Sequence, residues 1–220
     1  MRRINIIILC LTATISTFGQ VKTLTKEQYD TVVTTSRDQV DKLLRRVVSE
    51  TTKYKGGVIE TTETLTKESL PSGDNRWSLI TKKEGVTLNK LQLVYLGKYE
   101  YRKEGESDWK KRCVKDCSSS ESEGSYGILG SAELPKVQEF LVSDSTAAGQ
   151  SATVYVSYRV YQIGSILNFF ESKIWIGSNG LILKEESIDS DVFPTNRKSF
   201  ETISYAYNPK DVALIEAPIK

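Results

Sequence analysis

The stretch Lys173-Ile-Trp-Ile-Gly-Ser-Asn-Gly-Leu-Ile-Leu-Lys-Glu-Glu-Ser187 sets two apolar runs on either side of an Asn179-Gly180 pair. Both residues take positive φ readily, so the pair predicts a tight hairpin turn between two antiparallel strands. Upstream, Thr153 to Gln162 alternates, with Val154, Val156, Tyr158 and Val160 facing one way and Tyr155, Ser157, Arg159 and Tyr161 the other. That period of two is the mark of a strand. Gly164 to Phe170 reads as an apolar connection that puts Phe169 and Phe170 at a loop tip. Downstream the pattern predicts a strand near Ser199 to Tyr207, a turn at Asn208-Pro209 and a last strand around Val212 to Ile215.

The first half repeats the theme. Gly56-Gly57 separates two β-branched runs, and Pro71-Ser-Gly-Asp-Asn75 closes the second of them. A strand from about Arg76 then places Trp77, Leu79 and Thr81 on one face, followed by a turn at Glu84-Gly85. The run from Val86 to Leu96 meets Gly97-Lys98, a two-residue turn with Gly first, and continues as Tyr99 to Lys103. Strands with turns every 8 to 12 residues or so predict a sandwich, a barrel or a curved sheet.

Two helices interrupt the β pattern. Thr25-Lys-Glu-Gln28 has the form of a capping box, and Tyr29, Val32, Val33, Ser36, Val40, Leu43 and Leu44 recur at helical spacing, so a helix is expected from about 25 to 43. Pro135 with Val137, Phe140 and Leu141 predicts a short central helix over about 134 to 142. The Ser/Ala/Gly stretch 143–149 then reads as a separator, and the Ser-rich stretch 118–125 as a surface loop.

Met1-Arg-Arg, the apolar run Ile4 to Ile15 and the small residues before Gln20 predict a secretory signal peptide over 1–19 and a single domain over 20–220. A transmembrane anchor would need about 20 apolar residues, longer than this run. Lipid attachment at Cys10 would want a small residue where Leu9 stands. The expected location is periplasmic or secreted, with no transmembrane segment in the mature chain. In that oxidising setting Cys113 and Cys117 are expected to form a disulfide. A metal pair is the alternative, but no histidine is present to complete a site.

A net charge of +2 with mixed signs offers no basic stripe for nucleic acid. The absence of histidine removes the usual neutral-pH general base, and no Gly-rich phosphate loop opens a helix. Carboxylate pairs such as Glu185-Glu186, or Asp189 with Asp191, read as solvated surface before they read as acid–base machinery. The expectation is a non-enzyme without a cofactor. The chemistry then falls to aromatics on strands: Trp77, Tyr99, Tyr101, Trp109, Tyr158, Phe169, Phe170 and Trp175. They are either core or the lining of an apolar pocket on a curved sheet.

Four segments carry a resemblance: Arg46-Val-Val-Ser-Glu50; Leu96-Gly-Lys-Tyr-Glu-Tyr-Arg102 with Asp108-Trp-Lys-Lys111; Lys173 to Lys184; and Tyr205-Ala-Tyr-Asn-Pro209 with Ile215-Glu-Ala-Pro218. Together they resemble bacterial envelope proteins of the LolA-like lipoprotein-carrier type and their LppX-type relatives. The resemblance implies an α+β fold, an open half-barrel of one curved antiparallel sheet, with the N-terminal and short central helices packed on its concave face. It also implies a cavity for a lipid or another apolar small molecule. No residue here matches the carrier's ligand-gating arginine, so only hydrophobic-ligand binding in general is carried over. A protein-interaction or sensing module on the same fold, meeting an envelope partner, is the alternative.

Overall fold

The computed structural model describes residues 21–115, 137–163, 166–193, 196–210, 212 and 215–219. The expected leader, the Ser-rich stretch and Cys117 lie outside them. Among the described residues, twelve strands and one helix follow in order: β1 (Lys22–Thr23), α1 (Lys26–Asp41), β2 (Arg45–Lys55), β3 (Val58–Ser69), β4 (Asn75–Lys83), β5 (Val86–Leu96), β6 (Tyr99–Glu104), β7 (Lys110–Cys113), β8 (Val137–Ala147), β9 (Gln150–Ile163), β10 (Ile166–Gly177), β11 (Ile182–Phe193) and β12 (Arg197–Tyr207). All strands join one antiparallel sheet in the order β1-β8-β9-β10-β11-β12-β2-β3-β4-β5-β6-β7. Strand twist accumulates at about 20–25° per strand. An open sheet beyond about ten strands therefore tends to curl, and the unclosed order fits an open half-barrel. Its edges are blunted: β1 has two residues, and β7 is the short basic segment Lys-Lys-Arg-Cys.

The turn chemistry works as the sequence predicts at most corners. Gly56-Gly57 and Glu84-Gly85 take positive φ at both positions (61° and 82°; 51° and 80°), the mirror-image turn that matches strand twist. Gly97, at φ 57°, leads the two-residue β5–β6 turn. The Asn179-Gly180 corner differs, because only Gly180 has positive φ, at 79°. Four residues separate β10 from β11 there. Asn179 Oδ1 instead accepts the Leu181 N–H at 3.2 Å, so the Asn side chain shapes a wider loop.

α1 starts as expected. Thr25 Oγ1 accepts the Gln28 N–H at 3.2 Å, and Gln28 Oε1 accepts the Thr25 N–H at 2.9 Å. The helix seats Val40, with Val32 and Val33, on Ile174, Ile176 and Ile182, flanked by Tyr155, Tyr205 and Tyr207. Tyr29 packs on Phe140 with ring centroids 4.8 Å apart. Burying each such aliphatic side chain stabilises by about 1.5–3 kcal/mol.

Three sequence expectations are corrected. Residues 137–142 of the expected central helix belong to β8, and 143–147 of the expected separator continue it. Val137, Phe140 and Leu141 satisfy helical spacing, yet Leu141 and Phe140 equally serve the two faces of a strand. The ladder to β9, from Val137↔Val160 to Ala147↔Gln150, decides between them. Ala148 and Gly149, at φ 50° and 73°, close the hairpin. Phe169 and Phe170 are not at a loop tip but inside β10, paired with Val160 and Arg159 on one side and Ser190 and Asp189 on the other. Finally, Val212 and Ile215 are outside any strand. Ile215, 5% exposed, lays its side chain on Val94 and Tyr101 across the sheet face instead of pairing at an edge.

Candidate functional site

Register sorts every strand residue onto one of two faces, since directly paired residues share a face. The face that carries α1 includes Ile174, Glu185, Ile203 and Tyr205. Two adjacent rows cross it further along. Ile203↔Ser49↔Leu65↔Leu79↔Leu91 forms one, and Tyr205↔Val47↔Lys67↔Trp77↔Leu93 the other. At about 4.8 Å per strand the rows span about 19 Å. Leu65, Leu79, Leu91, Leu93, Trp77, Val47 and Ile203 are all half-buried. None of these seven belongs to the cluster packed under α1; of the two rows, only the terminal Tyr205 does.

Polar groups close this apolar strip at both ends. On the α1 side, Arg37 meets Glu185 at 2.8 Å, and the Tyr205 hydroxyl donates to the same carboxylate. Burial first, then the Glu185 charge, pushes the Tyr205 hydroxyl well above its ordinary value. On the far side, Tyr95↔Glu100↔Arg112 stand in register, with Arg112 Nε 2.7 Å from Glu100. Burial and the hydrogen bond to Glu100 push Tyr95 up to about 12. Ser49 donates to Glu201 at 2.6 Å within the strip itself. Lys67 sits in the second row with its ammonium 4.7 Å from the centre of the Trp77 ring. Burial, then the Arg45 charge, lowers its pKa.

The opposite face carries a separate cluster. Glu68, 6% exposed, accepts from Arg46 at 2.6 and 2.9 Å and from the Arg76 Nε at 2.9 Å. Burial works to raise its carboxyl, but the two guanidinium hydrogen bonds outweigh it and hold the group below its ordinary value. A cavity of about 430 Å³ lies beside it, lined by Thr66, Glu68, Arg76, Gln92, Trp109 and Pro218 among others. The C-terminal segment forms one wall.

The eight aromatics proposed from sequence do not share one face. Trp77 and Phe170 stand on the face of α1. Trp77 lies 6.0 Å from Tyr95, and Phe170 lies under the Arg159 guanidinium at 4.7 Å. Tyr158, Phe169 and Trp175 stand on the opposite face, where the first two rings are 6.2 Å apart and Trp175 Nε1 donates to Ser145 Oγ at 3.1 Å. Tyr99, Tyr101 and Trp109 gather at the β5–β7 end of that same opposite face, with Val94 and Ile215. Cys113 ends β7, and its expected disulfide partner lies outside the described residues. As site residues, Leu65, Leu79, Leu91 and Leu93 were not singled out from the sequence. Their only signal was partial alternation with Thr64 and Thr66, Ser78, Lys90 and Gln92 on neighbouring positions, which marks a strand but not which strands lie side by side.

Fold and face together define a class: an unclosed antiparallel sheet, one helix seated on it, and an apolar strip beside that helix. Over most of its length the fold is similar to the crystal structure of LprF from Mycobacterium bovis, at a TM-score of 0.42 and 11% identity, covering 88% of this chain and 98% of that one. A second similar structure is that of a DUF1329 family protein from Desulfovibrio piger, at a TM-score of 0.31 and 14% identity, covering 83% of this chain and 92% of the other. No family model and no curated protein matches the sequence.

Proposed function

We propose that this is an exported envelope protein that binds a lipid or another apolar small molecule non-covalently on the α1-bearing face of its sheet, as a carrier or sequestering protein. The observation behind this reading is the pair of rows from Ile203 to Leu91 and from Val47 to Leu93, apolar but for Ser49 and Lys67, whose apolar side chains are half-buried beside a helix that covers only their neighbours. Transfer of an acyl chain from water onto that strip yields about 25 cal/mol per Å² of apolar surface removed. No covalent step and no cofactor enter, so binding is driven by desolvation, with movement of α1 as the means of admission. Among the described residues no helix is long and apolar enough to cross a membrane, and the leader-like start of the sequence supports export.

Native mass spectrometry and lipid extraction, applied to protein purified from its own envelope, test the reading. Co-purifying lipid is expected, with a rise in melting temperature when that lipid is added back. Trp77→Ala is expected to weaken the complex about tenfold, or about 1.4 kcal/mol, while the half-buried ring contributes less to stability than a core tryptophan. Absence of any co-purifying lipid, together with no thermal protection by added lipids, would sink the proposal.

A further inference from the structure

One end of the sheet is built against the usual rule for strand tips. Val58 and Ile59, just past the β2–β3 turn, are 70% and 52% exposed, and Val86 and Leu88, just past the β4–β5 turn, are 66% and 59% exposed. Residues 55–60 and 82–90 are exposed throughout, on both faces of their strands. Both hairpins therefore project beyond the packed body. Hairpin tips ordinarily carry polar residues, so large aliphatic side chains there mark a contact surface.

The two tips belong to one surface. Thr62↔Lys82 is the outermost β3–β4 pair, so the Glu84-Gly85 turn, two residues further on, stands level with Glu60 and Ile59. The start of β12 joins them through Arg197↔Lys55 and the Gly56 N–H donated to the Asn196 carbonyl at 3.2 Å. Around the aliphatic side chains lie the exposed cations Lys55, Lys82, Lys83, Arg197 and Lys198, against the exposed Glu60 and Glu84 and, beside Arg197 and Lys198, Asp189 and Asp191.

We propose that this end is a membrane-docking surface, and that its occupant is the headgroup region of an anionic bilayer. Aliphatic tips enter the interface to about 5–10 Å, while each lysine or arginine near an anionic surface adds about 1 kcal/mol. The chemistry favours lipid over a protein partner. Protein interfaces are enriched in aromatic anchors and depleted in lysine, whereas these tips offer valine, isoleucine and leucine ringed by lysine.

Flotation of the full chain with phosphatidylcholine vesicles, and with vesicles containing phosphatidylglycerol as well, tests the proposal. Partition onto the phosphatidylglycerol vesicles is expected, weakened by salt. The double variant Val58→Asp/Val86→Asp should reduce that partition at least tenfold. Lys82→Glu/Lys83→Glu should abolish the preference for phosphatidylglycerol while leaving the residual partition onto phosphatidylcholine in place. All four residues are solvent-exposed, so melting temperatures near that of the parent chain would show intact folds. No partition onto phosphatidylglycerol vesicles would overturn the proposal. Partition that neither variant alters would also overturn it, because the attachment would then reside elsewhere in the chain.

Discussion

Gly180 shows how one residue reconciles a turn with a helix. Its φ of 79° is open to glycine and strained for any L side chain, and a Cβ built on it would come within 2.7 Å of Gln39 Oε1 on α1. Gln39 is a long, adaptable side chain and can move aside, so the dihedral dominates the penalty. Gly180→Ala is expected to destabilise by about 1–2 kcal/mol, read as a lower denaturant midpoint with an unchanged m-value. Gly73→Ala, at φ 93° with open space around it, is the comparison that isolates the backbone component. Here the sequence was half legible. Asn-Gly announced a corner, but the choice between a two-residue turn and the wider loop depended on Asn179 turning its side-chain oxygen to the Leu181 N–H.

At the scale of elements, cross-strand rows do what individual strands cannot. Arg46 on β2, Glu68 on β3 and Arg76 on β4 stand in register and tie three strands through one carboxylate. The folded-state pKa of Glu68 lies below the ordinary 4.5. Its contribution is therefore fully present above that value and is lost as pH falls through the lowered folded pKa. Glu68→Gln is expected to cost about 2 kcal/mol at neutral pH, less than the 3–5 of a fully buried pair because both guanidinium groups reach solvent. It should also flatten the acid limb of a stability-versus-pH profile; an unchanged acid limb would mean that Glu68 does not titrate with folding. The same scale explains why a strand stands where the sequence predicts a central helix. Val137, Phe140 and Leu141 fit both periodicities over so short a run, and only the β9 ladder, eleven residue pairs long, selects the strand.

Across the whole molecule, the two faces of the sheet are stabilised by different pieces of chain. α1 covers the Ile174–Ile176–Ile182 side of one face, and the C-terminal segment lays Ile215 on Val94 and Tyr101 at the far end of the other. Val40→Ala and Ile215→Ala are each expected to cost about 2–4 kcal/mol by leaving cavities. With no shared neighbours, the two losses should add to within about 0.5 kcal/mol in the double variant. Coupling well beyond that would show that the clusters communicate through the sheet. Ile215→Ala should also leave apolar-ligand binding on the α1 face intact, as measured by lipid protection in thermal shift.

What the sequence determined by itself was local: the capping box at Thr25, the strands from alternation, the corners at Gly56-Gly57, Glu84-Gly85 and Gly97-Lys98, and hence an antiparallel sheet with an N-terminal helix. These follow from forces acting within a few residues, namely side-chain alternation, positive φ and capping hydrogen bonds. The tertiary structure decided what depends on partners distant in the chain. It set β12 beside β2, aligned Leu65, Leu79 and Leu91 into one row, divided the aromatics between two faces and brought two aliphatic hairpin tips to one end. Alternation shows that a residue has a face. Only the register between strands shows which residues share it.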